Sequence, residues 1–275
     1  MQKRRFLVMA RVGDKSLHAK WLQGAERKFD LYLSYYGSQP GRYREQADHW
    51  RERGETKWPA LHAHLEEDRE LLSGYEAIWM PDDDLLVDAA GINRMFEVFA
   101  TFELSLAQPA LSMDSHFSHS ALLHAPGYVL RYANFVEVMA PVFSRPALSL
   151  LKPSFAQSKI GWGLDHLWIQ LLERAGMGDR IAIIDAVQVV HTRPIGGGDI
   201  YGASQGVTAR EDAAALQRLY PELNLDTRSR RADFEMRGGV REHRRHGLSA
   251  RWAGWLHRRL AKLRARSTPK HRRTD

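Results

Sequence analysis

Residues 77–88 read AIWMPDDDLLVD: a short apolar run, a proline, three carboxylates in a row, then apolar residues again. A short apolar run closed by a turn signal reads as a buried strand. Adjacent like charges repel, so either water screens the three aspartates or something positive sits among them. The flanking sequence repeats the strand pattern. RFLVMAR (5–11), DLYLSYY (30–36) and LSLAQPAL (104–111) are short and rich in branched and aromatic residues, as strands are. Between them, WPALHAHLEEDRELL (58–72) sets Leu61, Leu65 and Leu72 at helical spacing, with charges on the other face. Asp88 is placed to cap a helix whose apolar stripe is Ile92, Met95, Phe96 and Phe99. Strands alternating with helices predict an α/β fold, a mainly parallel sheet flanked by helices. The polar stretch 37–55 reads as a long surface loop.

The 275 residues suffice for one large α/β domain or two small ones. A 44% hydrophobic and 27% charged composition excludes disorder throughout. The chain has no cysteine, which excludes disulfides and thiolate metal sites and leads us to expect a cytoplasmic protein. The apolar run near the N-terminus, Phe6 to Ala10, is too short for a signal-peptide core, and no run reaches the ~18 residues of a membrane span. The net charge of +7 is unevenly spread. Residues 228–275 hold 16 of the 40 Lys and Arg but 4 of the 33 Asp and Glu, a net of +12, which leaves the rest of the chain at −5. We therefore expect a body over residues 1–226 and a separate basic tail over 227–275.

In an open parallel sheet, ligands bind beyond the carboxyl ends of the strands, which is where Asp82, Asp83 and Asp84 follow AIWM. Alternation along an extended chain points Asp82 and Asp84 one way and Asp83 the other. Two converging carboxylates suit a hard cation, Mg²⁺ or Mn²⁺, that would hold a diphosphate. A solvated turn and helix cap is the competing reading, and the motif alone leaves both open. GWGLDH (161–166) sets Asp165 among tryptophan and glycines. Glycines permit close backbone approach to a ligand, and Trp162 offers an apolar wall to a sugar ring; alternatively Asp165 caps the next helix. VVHTRP (189–194) ends a strand at His191, a third metal ligand or an ordinary hydrogen-bonded residue. Gly196, Gly197 and Gly198 mark a mobile loop but no P-loop, since no Gly-Lys-Ser/Thr follows.

Taken in order, TKWPALHAHL, AIWMPDDDLLVD, LAQPAL, FVEVMAPVFSR, GWGLD and VVHTRP resemble the family catalogued as domain of unknown function 707, which looks like a GT-A glycosyltransferase. The resemblance runs from about Phe6 to Tyr201. It implies a transferase that moves a sugar from a nucleoside-diphosphate donor to a glycan or lipid-linked acceptor. Asp82 and Asp84 would take the metal-binding roles, with His191 as a late ligand. Asp83 stands where the family often has Glu. Asp165 matches the acid near the acceptor, the candidate general base. Lys57, in the Lys57-Trp58 pair, would meet the diphosphate. Arg11, which ends the first strand-like run, joins Asp83 and Lys57 on the donor side. Glu137 joins Trp162 on the acceptor side. In such a site a cation neutralises charge developing on the leaving diphosphate, and a positioned base adds ~10²–10⁴-fold. Two rivals are a metal-dependent phosphohydrolase using the same acids, and a non-catalytic, membrane-associated carbohydrate- or nucleotide-binding protein.

In the tail, GLSARWAGWLHRRLAKLRAR (247–266) aligns Leu248, Trp252, Trp255, Leu256, Leu260 and Leu263 on one helical face, opposite arginines and Lys262. A basic amphipathic helix with tryptophans suits an anionic membrane surface. The alternatives are packing on the body and, least favoured, binding nucleic acid. Peripheral placement on the inner face of a membrane would suit a transferase that builds surface polysaccharide or glycolipid.

Overall fold

The computed structural model describes residues 3–194, 206–225 and 234–242. The glycine loop at 196–198 and the basic amphipathic segment 247–266 lie outside the described residues. Strand β1 (Phe6–Val12) is wholly buried, as is β2 (Phe29–Tyr35). There follow β3 (His49–Glu52), helices α1 (Lys57–Glu67) and α2 (Arg69–Leu72), then β4 (Ala77–Trp79) and β5 (Leu85–Leu86). Helix α3 (Ala89–Thr101) leads to β6 (Leu106–Leu111), β7 (Tyr128–Ala133) and β8 (Val142–Ser144). The chain closes with α4 (Arg145–Phe155), α5 (Leu164–Arg174), β9 (Ile181–His191), α6 (Ala209–Leu219) and β10 (Met236–Arg241). Among the described residues, no helix is long and apolar enough to cross a membrane.

The sheet runs in the order β10-β7-β9-β6-β8-β4-β1-β2-β3, with β5 paired to the end of β9. It is mixed, which corrects the expectation of a mainly parallel sheet. β4, β1, β2 and β3 are parallel neighbours, as are β6 and β9, whereas β8, β7, β10 and β5 each pair antiparallel. The cause lies in the connections. Parallel neighbours need a long crossover, usually a helix, and no α-helix separates β6, β7 and β8. Two further elements depart from the sequence reading. The supposed loop 37–55 contains β3, a half-exposed edge strand whose polar HWRE hides the pattern. β10 lies past the boundary expected at 226 and pairs with β7, so the sheet continues into the basic region; its MRGGVR has a single aliphatic residue besides methionine and gives no strand signal.

Alternation assigns the two faces. Phe6 stacks on Phe96 of α3 at 4.7 Å between centroids, and Phe29 also meets Phe96. On the opposite face, Tyr32 and Ser34 of β2 meet His64 of α1. Trp58, Phe143, Phe155 and Trp168 form one aromatic cluster joining α1, β8, α4 and α5. As expected, Asp88 caps α3 by accepting the Gly91 amide at 2.8 Å, and the stripe Ile92, Met95, Phe96 and Phe99 is buried.

Beside Pro109, which has no amide hydrogen to donate, β9 shifts register against β6. The displaced segment carries Asp185, fully buried. Arg131 of β7 grips it through Nε at 2.7 Å and Nη2 at 3.0 Å, while its remaining donors reach the carbonyls of Ala121 and Leu123. The pair thereby ties the 112–127 segment to the sheet. Removing one partner strands a buried charge, so Asp185→Ala should lower stability by about 3–5 kcal/mol. Urea unfolding measures it, and a loss within scatter would sink this account of the pair.

Candidate functional site

At the carboxyl end of β4 the chain keeps pairing with the segment before β8, since Met80 donates its amide to Pro141 O and Asp82 to Met139 O. This holds the three aspartates in fixed and different directions. Asp82 Oδ1 accepts from Lys57 Nζ at 2.6 Å, and the same ammonium donates to Val138 O at 2.9 Å. Asp83 turns toward the end of β1, where it accepts the Gly13 amide at 2.8 Å and Arg193 Nη1 at 3.1 Å. Asp84 Oδ2 stands 3.3 Å from His191 Nε2. That last contact follows from register: Leu85 pairs with His191, which brings Asp84 beside Thr192, whose amide and hydroxyl both donate to Asp84 O. Each aspartate therefore has its own protein cation.

The electrostatics agree with this arrangement. Burial pushes the Asp83 carboxyl up to about 6, against the Gly13 amide and Arg193, which stabilise its anion. Asp82 is also pushed up by burial, with Lys57 opposing and the charge of Asp84 adding to the rise. Its side chain is 40% exposed. Burial alone would lower the His191 pKa, but the hydrogen bond and charge of Asp84 raise it to about 9.

A second acidic group meets the first. Glu137, in the segment between β7 and β8, has its amide fixed by Gln108 Oε1 at 2.6 Å, while its buried Oε2 has no donor. Burial pushes its carboxyl up to about 7, helped by the charge of Asp165 and opposed by that of His191. Asp165 lies in the first turn of α5, where a carboxylate suits the helix dipole. The N-cap is Gly163, so Asp165 is not the cap. Burial raises its pKa, and His166 opposes the rise.

Asp82, Asp84, Glu137, Asp165, His191 and Lys57, far apart in sequence, thus converge on one region. Trp162, three residues before Asp165, is half-buried. Arg11 requires correction. Only 2% exposed, it gives Nη1 to Ser34 Oγ at 2.7 Å and Nη2 to Glu55 O, and lies over the Tyr36 ring, so it is turned into the core rather than open to a ligand. A strand-end arginine looks alike from sequence whether it faces ligand or core. The sequence reading missed Arg193, two residues beyond His191, whose spacing was a usable signal, and Gln108 and Asp212, which carry none. An open hollow lined by Lys20, Asp88, Arg94 and Gln188 shares none of these residues.

Among the described residues, no group of three or more His, Asp or Glu is arranged to hold a metal ion. A nucleotide-bound Mg²⁺ needs fewer protein ligands, since one or two carboxylates, phosphates and water complete its shell. Asp84 and His191 fit that smaller set once His191 gives up the proton it shares with Asp84, since only a neutral imidazole binds a metal. Asp84 Oδ1 is buried without a donor, and His191 Nδ1 is anchored 2.8 Å from His116 O, the backing that metal-bound imidazoles ordinarily have.

No protein-family model and no curated protein matches the chain. Among solved structures, a protein from Desulfovibrio desulfuricans G20 described as a "putative nucleotide-diphospho-sugar transferase" is similar, at 11% identity and a TM-score of 0.41 over 78% of this chain and 98% of that one. A likeness so distant adds nothing to the geometry.

Glu137 offers a test by pH. The native chain keeps its proton to about pH 7, whereas an unfolded glutamate releases it near 4.5. Between those values the native state binds more protons, so unfolding free energy falls as pH rises. Glu137→Gln removes that fall. Relative to the parent it should gain stability from about pH 5 to 8 and show no further gain below about 4.5. Urea titrations across that range decide it, and a difference that does not vary with pH would refute the burial assigned to Glu137.

Proposed function

We propose that the chain is a glycosyltransferase that takes a sugar from a nucleoside-diphosphate donor and passes it to a hydroxyl of a glycan or glycolipid. The observation that carries this reading is the meeting, at the carboxyl ends of β4 and β9, of an aspartate triplet with its own cations and a separate pair of carboxylates, Glu137 and Asp165. The first group suits a diphosphate and the second a hydroxyl acceptor.

On the donor side, Lys57 and Arg193 supply positive charge to phosphate oxygens, and Asp82 and Asp83 hold those cations in place. Asp84 and His191 would hold Mn²⁺ or Mg²⁺, and that ion, when bound, would draw off negative charge as the leaving diphosphate develops it. On the acceptor side, Asp165 takes the proton from the attacking hydroxyl. That oxygen bonds to the anomeric carbon as the bond from carbon to the diphosphate oxygen breaks, and the electron pair leaves with the diphosphate. Glu137 contacts the acceptor beside Asp165, and Trp162 walls the sugar. The basic segment 247–266 would seat the enzyme on an anionic membrane surface that carries a lipid-linked acceptor.

A thermal-shift panel tests the donor half: UDP, GDP, CDP and dTDP, each with and without Mn²⁺, on the parent and on Asp84→Ala. Ligand at about a hundred times its dissociation constant stabilises by roughly 2.7 kcal/mol, a rise of very roughly 5–10 °C for a chain this size. We expect one nucleotide to raise Tm only with Mn²⁺, and the rise to vanish in Asp84→Ala. No rise with any nucleotide would overturn the donor site. An equal rise without Mn²⁺ would overturn the metal.

A further inference from the structure

The GWGLD turn is held by a residue outside it. Asp212, in the first turn of α6 and 3% exposed, spends its whole carboxylate on this one segment. Oδ1 accepts the Lys159 amide at 2.8 Å. Oδ2 accepts Ser158 Oγ at 2.6 Å, the Ile160 amide at 3.1 Å and the Trp162 amide at 3.2 Å. Ser158 Oγ in turn accepts the Gly161 amide at 2.8 Å. A carboxylate offers about four acceptor positions, and here Oδ2 takes three donors and Oδ1 one.

The same turn is gripped on two sides. Gly161 has φ +91°, and a Cβ there would lie 2.6 Å from Trp58 Nε1. Gly163 has φ +94°, and a Cβ there would meet Leu216 and Ala213 of α6 at 3.4 and 3.6 Å. Helix α5 starts at once, with Leu167 donating its amide to Gly163 O, so Asp165 has no slack between the turn and its own helix. Helix α6 is fixed in turn by a capping box between Thr208 and Glu211, and Tyr220 Oη donates to Gln157 Oε1 at 2.6 Å.

We infer that Asp212 is a positioning residue for the transfer step: by fixing residues 158–162 it sets where Asp165 meets the acceptor hydroxyl. The role rests on the transferase reading above. Asp212 does not touch substrate and acts wholly through the turn. Replacing it by asparagine keeps the shape but swaps an acceptor for a donor, so at least one loop amide loses its partner.

The test uses the full chain and Asp212→Asn, with Ser158→Ala as a milder second variant should the first fail to fold. Three quantities are read: amide hydrogen exchange over 158–165, the titration of the Asp165 carboxyl by carbon NMR, and nucleoside diphosphate release from a panel of UDP-, GDP- and dTDP-sugars with water as acceptor. In Asp212→Asn we expect faster exchange confined to this turn and an Asp165 pKa lowered toward the ordinary range as water enters. Turnover should fall by about 10²-fold, the cost of misplacing a reacting group by an ångström, with the nucleotide-sugar KM within about twofold of the parent. Ser158→Ala should move all three the same way by less. Unchanged exchange and titration would overturn the inference, and so would a loosened turn with undiminished turnover. If the parent releases no nucleoside diphosphate from any sugar, the transferase reading falls, and exchange and titration alone decide whether Asp212 places Asp165.

Discussion

Three consecutive aspartates stay folded together because each is matched to a cation from a different part of the chain. Lys57 comes from the start of α1, Arg193 from beyond β9 and His191 from its last residue. Unmatched, the three charges would repel one another across a few ångströms, and the burial of Asp83 and Asp84 would worsen that repulsion. Matched, they fasten the carboxyl ends of β1, β4 and β9 to one another. The Gly13 amide on Asp83 and the Thr192 contacts on Asp84 O strengthen the same junction. Without it, the strands would still pair, but their ends would have no common point.

The junction reaches the second carboxylate group through α1. Lys57 opens that helix and faces Asp82, while its neighbour Trp58 is buried in the aromatic cluster and lies against Gly161. The two residues of the Lys57-Trp58 pair therefore serve opposite halves of the site, one holding the aspartate rim and the other backing the turn before Asp165. A helix shift that moved one would move the other, so α1 couples the two halves, alongside the direct tie of the Asp82 amide to Met139 O.

What the sequence revealed follows from which signals survive without tertiary context. Apolar strands and an amphipathic helix show in composition and period, so β1, β2, β4, β6 and α3 were readable, and so was the cap at Asp88. Edge strands did not show: β3 and β10 are half-exposed and polar, and only neighbour pairing makes them strands. Strand direction was hidden for a related reason, because it depends on whether a helix lies between two strands, and the segments around β7 and β8 carry glycine, histidine and proline rather than a period. At the site, residue types were legible and partners were not. Nothing local distinguishes Arg11, turned into the core, from Arg193, turned onto Asp83. Asp212 sits some fifty residues from the amides it holds, in a helix that looks ordinary.

The two halves differ in how their charge is balanced, and the difference fits two distinct tasks. Around Asp82, Asp83 and Asp84 every carboxylate has a cation within hydrogen-bond reach or nearly so. Around Glu137 and Asp165, among the described residues, no lysine or arginine contact compensates the acids, and burial raises both. A carboxyl so placed gains from acquiring a proton, which is what the acceptor of a hydroxyl proton must do. His191 lies between these regimes, near enough to Glu137 for its charge to matter and paired to Asp84. On the transferase reading proposed above, charge drawn toward the diphosphate on one side and a proton drawn toward a buried acid on the other would act in the same direction on a bond placed between them. A uniformly compensated site would hold its ligands and supply no such gradient.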